Sequence, residues 1–87
     1  MDFNKYKNQK PYPTNIKDVD ERKQKRKEYN DEERRLINLF KIDALEYVGL
    51  SGHPKANNAF ELAWSRGHSS GLSSVLNELE ELVDLLV

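Results

Sequence analysis

The side chains best suited to chemistry lie between Trp64 and Gly71, where an indole, a guanidinium, an imidazole and three hydroxyls are set among two glycines. Arg66, His68, Ser69 and Ser70 are groups that hold a phosphate or a carboxylate, and Trp64 offers a flat face to a base or a cation. Lys55 is the next cation upstream of Arg66. These residues form a ligand-binding set and not a catalytic one. Ser69 and Ser70 directly follow His68, and side chains one or two apart on a helix diverge. No acid is placed by the sequence to orient the imidazole, so a hydrolase triad is not expected. His53 and His68 are fifteen residues apart, which is no metal-pair spacing, and neither a metal nor a cofactor is expected.

A second constellation is the run from Arg22 to Lys27. Arg22, Lys23, Lys25, Arg26 and Lys27 could contact the phosphates of a nucleic acid, with Phe3, Tyr6 and Tyr12 upstream as stacking partners. The competing reading is a solvated helix face, because Asp18, Asp20, Glu21 and Glu28 flank the run. Gly49-Leu50-Ser51-Gly52 is too short for a phosphate loop and follows a helix instead of a strand.

The elements that must position these residues are helical. Asn30 as an N-cap, with Glu33 three residues on, predicts a helix from Asp31 to Val48. Its buried face is Leu36, Ile37, Phe40, Ala44, Leu45 and Val48, and Gly49 is its stop signal. Nothing from Asp18 to Asn30 breaks a helix, which leaves an earlier start near Asp18 open; Asp18 with Arg22, and Glu21 with Lys25, are spaced as supporting pairs. Pro54 suits the first turn of a second helix, with Ser51 or His53 near its cap. The stripe Phe60, Trp64, Gly67, Gly71, Val75, Leu79, Leu82 and Leu86 predicts that this helix continues to Leu86, for about 50 Å. On that reading Gly67 and Gly71 form a notch on the buried face, for close helix crossing or for a small pocket. Read as a loop, the same stretch is a Gly/Ser connector between two short helices; the unbroken stripe favours the helix.

The expected fold is therefore all-α: an extended N-terminal arm over residues 1–17 and an antiparallel helical hairpin over residues 18–87. The Leu72–Leu86 stripe is too wide for the first helix to cover, so a homo-oligomer is expected. Pro11-Tyr12-Pro13 excludes helix in the arm.

At 87 residues the chain is one domain at most. It has no cysteine, which excludes disulfides and thiolate metal sites and fits a reducing compartment. No apolar run approaches the ~20 residues that span a bilayer, and the first residues do not read as a signal, so a soluble, cytoplasmic protein is expected. Charge is divided unevenly: residues 1–27 hold nine Lys/Arg against four Asp/Glu, and residues 28–87 hold five against eleven.

The residues His53-Pro54-Lys55-Ala56, Ala63-Trp64, Gly67-His68-Ser69-Ser70-Gly71, Val75 and the closing Glu81-Leu82-Val83-Asp84-Leu85-Leu86 resemble a group of small uncharacterised tailed-bacteriophage proteins. The resemblance covers about the last 35 residues. It implies an early or accessory product, active in host takeover or against host defence in the host cytoplasm, and it carries over no catalytic residue. Together these readings predict a non-enzymatic protein that binds a host protein or sequesters a small anionic ligand such as a signalling nucleotide. The alternatives are a nucleic-acid-binding protein using the basic N-terminal region, and a structural component of a virion.

Overall fold

The computed structural model describes residues 1–86, and among these every regular element is helical. Three α-helices are present: α1 (Val19–Tyr47), α2 (Ala56–Gly67) and α3 (Leu72–Leu86). Short 3-10 helices occupy Phe3–Tyr6 and His68–Ser70. The chain divides into two compact units, Met1–Phe40 and Lys41–Val87. Among the described residues no helix is long and apolar enough to cross a membrane.

In the first unit α1 begins at the earlier of the two candidate starts. The Asp18 carboxylate accepts the backbone N–H groups of Asp20 at 2.9 Å and Glu21 at 3.0 Å, satisfying two amides that the first turn leaves unpaired. The acids at Asp20 and Glu21 add favourable charge at the positive end of the helix dipole. Asn30 lies inside the helix and caps nothing. An uninterrupted run of Glu, Lys, Arg and Gln, with neither Gly nor Pro before Gly49, is enough to carry the helix past it. The Asp18–Arg22 and Glu21–Lys25 spacings do not close as ion pairs; the closed pair is Arg35 with Glu32, whose Nε–Oε1 distance is 2.9 Å.

Before α1, the arm is only partly extended. Asp2 caps the Phe3–Tyr6 turn by accepting the Asn4 N–H at 3.0 Å. Tyr6 is buried and meets Phe40 edge-on at 5.3 Å between centroids, with Phe3 at 6.3 Å from the same ring. Further on, the Asn8 amide donates to the Tyr29 carbonyl at 3.3 Å, and Tyr12 packs edge-on against Tyr29 at 5.2 Å. Aromatic edges and one amide thus hold a segment that has no hydrophobic periodicity of its own.

The second unit takes its order from a glycine stop and a helix pair. Gly49, at φ +81°, ends α1. The Gly49 and Leu50 amides fold back onto the carbonyls of Glu46 at 3.1 Å and Leu45 at 2.8 Å, and Leu50 is buried as the apolar partner of that cap. Along α1, Leu36, Phe40, Ala44 and Leu45 are buried as expected, whereas Ile37 and Val48 are half-buried. Pro54 falls in the turn ahead of α2, where His53 Nδ1 accepts the Lys55 N–H at 3.0 Å.

The single helix expected from Pro54 to Leu86 is absent. It is two helices folded back on each other, α2 and α3, joined by the turn at His68–Ser70 and by Gly71 at φ +109° and ψ 173°. An L side chain disfavours that backbone strongly, so the helix stops there. The hairpin of this fold is α2 with α3. The buried face of α2 is small, built on Ala56, Ala59, Ala63 and Gly67 with Phe60, and α3 brings Val75, Leu76, Leu79 and Leu82. A Cβ on Gly67 would lie 2.8 Å from the Val75 nitrogen and 2.9 Å from the Ser74 carbonyl carbon, so this is the close crossing. Gly71 differs from that expectation. No atom lies within 4 Å of its added Cβ, and glycine is needed there for backbone conformation alone. α2 covers Val75, Leu76, Leu79 and Leu82 of the α3 stripe, and leaves Leu85 exposed.

Candidate functional site

In the second unit the notch residues occupy the end of α2 and the turn beyond it. Phe60, Trp64 and His68 stack as a ladder four residues apart: Phe60 to Trp64 at 6.1 Å and 26°, Trp64 to His68 at 5.5 Å and 13°. Below the first ring, Lys41 Nζ lies 5.8 Å from the Phe60 centroid. His68 Nδ1 is 2.7 Å from the Trp64 carbonyl, to which it donates, so the neutral ring carries its proton on Nδ1 and Nε2 is left as the acceptor. Ser69 and Ser70 are exposed in the turn, and neither hydroxyl bonds the imidazole. Arg66 is half-exposed and faces Glu78 at 3.8 Å. Lys55 is not part of this cluster. It precedes the opposite end of α2, beside an apolar groove formed with Asn58, Leu62, Leu82 and Leu85. What the structure assembles at the notch is an aromatic face with one imidazole nitrogen, whose nearby guanidinium has a carboxylate neighbour.

In the first unit the basic run lies on the exposed N-terminal half of α1, which buries no side chain before Leu36. Lys23, Lys25, Arg26 and Lys27 are exposed and Arg22 is half-buried; among the described residues none of the five has a carboxylate within ion-pair distance. The flanking acids are used locally, Asp18 as the cap and Asp20 and Glu21 in the first turn. At 3.6 residues per turn, Arg22, Lys25, Arg26 and Tyr29 share one face, while Lys23 and Lys27 occupy another.

That shared face borders a groove of about 490 Å³ whose wall includes Lys10, Pro11, Tyr12, Pro13, Lys25 and Tyr29. Burial around the Tyr29 phenol, followed by the Glu33 carboxylate that accepts its hydroxyl, holds its pKa above the ordinary phenol value. One turn along, the hydrogen bond from Arg35 keeps the Glu32 carboxyl below the usual range. Of the residues expected from sequence to act together in nucleic-acid contact, Tyr12 and Lys25 do line one groove, whereas Tyr29 was not among them. The available signal was the helical spacing of Tyr29 from Arg22, Lys25 and Arg26.

The chain belongs to a family of unknown function (DUF8546), whose model matches residues 3–87. No curated protein and no solved structure matches it.

Proposed function

We propose that this is a non-enzymatic binding protein whose partner is a nucleic acid, held by its phosphates along the basic half of α1. The observation that carries the reading is that Arg22, Lys23, Lys25, Arg26 and Lys27 have no carboxylate partner among the described residues, although four acids lie close in sequence. Cations left unpaired on a solvated helix neutralise phosphates and release counterions, which drives binding independently of sequence. Lys5, Lys7, Lys10 and Lys17 add charge of the same sign within the first unit. Anisotropy of a labelled single-stranded twelve-mer tests this. Affinity should fall at least tenfold between about 50 and 200 mM salt; binding that is absent or indifferent to salt would contradict the reading.

A small anion at Arg66, His68, Ser69 and Ser70 is the second reading, favoured by the unbonded Nε2 of His68 beside the Trp64 face. It ranks lower because Arg66 already faces Glu78. A role as a phage accessory protein acting on a host component rests on the C-terminal resemblance. Self-association, or assembly as a structural component of a virion, rests on Leu62 and on Leu85, which is 79% exposed. Light scattering at tens of micromolar distinguishes a monomer from such assemblies.

A further inference from the structure

We infer that the groove between residues 10–16 and α1 is a stacking site for one unpaired base of a single-stranded nucleic acid. The inference rests on the nucleic-acid reading above and narrows it to single strands. Four features of the first unit support it.

The groove has the size of a ligand pocket, about 490 Å³, within the range in which small-molecule sites fall. It contains an available aromatic face. Tyr12 is 58% exposed and meets Tyr29 at 84°. An edge-on contact occupies at most one face of either ring, so Tyr12 keeps a face on which a base can lie. That ring is already held in place. Pro11 and Pro13 restrict the backbone on both sides of Tyr12, the Lys10 N–H donates to Asn8 Oδ1 at 2.9 Å, and the Asn8 amide donates to the Tyr29 carbonyl. Little freedom remains to be lost on binding.

The charges also fit this occupant. Lys10 and Lys25 line the groove, and Arg22 and Arg26 share the helix face of Lys25, so a strand with its base on Tyr12 would run its phosphates along cations. Glu28, on the groove wall, is an acceptor for an exocyclic amino group such as that of cytosine. A duplex keeps its bases stacked inside and presents no free base to Tyr12.

The test compares three labelled probes of equal length at fixed salt: a deoxycytidine twelve-mer, a twelve-mer abasic throughout, and a duplex. The cytidine strand should bind roughly tenfold more tightly than the abasic strand, by stacking. Tyr12→Ala, at an exposed side chain, should erase that preference and leave the salt dependence of the residual binding unchanged. Equal affinity for cytidine and abasic strands, or a preference that survives Tyr12→Ala, overturns the stacking site while the phosphate reading stands. Preference for the duplex overturns it as well. Failure of all three probes to bind removes both.

Discussion

The two units of this protein use their sequences in opposite ways. Lys41–Val87 packs a small-residue helix against a branched-chain helix and hides Val75 and Leu79 completely. Met1–Phe40 places most of its helix in solvent and holds its arm through Phe3, Tyr6 and Tyr12 at ring edges. In the apolar hairpin Arg66 faces Glu78 and His68 bonds the Trp64 carbonyl of the preceding turn. Among the described residues, the charged helix leaves Arg22, Lys23, Lys25, Arg26 and Lys27 without a carboxylate partner. A chain this short has little apolar area to spare, so the contrast separates what holds the fold from what is available to a partner.

The largest effect that would sharpen this contrast is expected at Leu79, which has no exposed surface. Leu79→Ala should cost about 2–5 kcal/mol in chemical denaturation, through lost burial and the cavity left behind. Lys23→Ala and Lys27→Ala should sit within about 0.5 kcal/mol of the parent. If the lysine variants destabilise as much as Leu79→Ala, the division between the units is wrong.

The two glycines of the hairpin should respond for different reasons. Gly67→Ala forces a methyl against the Ser74 and Val75 backbone, which has no side-chain freedom with which to yield, and should cost about 1–3 kcal/mol. Gly71→Ala meets open space and is opposed only by its φ of +109°, at a similar or smaller cost of about 1–3 kcal/mol. A D-alanine at each position separates the causes. It should restore stability at Gly71 and not at Gly67.

Smaller again is the cap of α1. Asp18→Ala removes the acceptor for two amides and should cost about 1 kcal/mol, seen as faster amide exchange in the first turn. Unchanged protection there would mean that the exposed helix is held by something other than its cap.

Much of this architecture was readable from residues, and the failures have physical causes. The all-α class followed from helical spacing and the lack of any alternating pattern, and Gly49 marked the end of α1 because a left-handed residue there lets two amides fold back. The stripe from Phe60 to Leu86 misled, since a hairpin that buries one face of each helix can keep the same spacing through a four-residue reversal. Only backbone angles at Gly71 distinguish that turn from a helix. Asn30 looked like a cap because its side chain suits one, yet the strong helix formers on both sides of it outweigh that preference. The groove depends on Tyr12 and Tyr29 meeting across seventeen positions of sequence, a pairing that neither local pattern contains.

The most direct test of the account compares the salt dependence of single-strand binding for two variants. Replacing Arg22, Lys25 and Arg26 together by Gln removes three cations from one face of α1, and Arg66→Ala with His68→Ala removes the guanidinium and the imidazole of the notch. The triple variant should lower the slope of log affinity against log salt by about 2, at roughly 0.7 for each lost phosphate contact, while the double variant leaves the slope unchanged. A slope lowered by the notch variant and unmoved by the α1 variant would place binding on the hairpin and contradict the account.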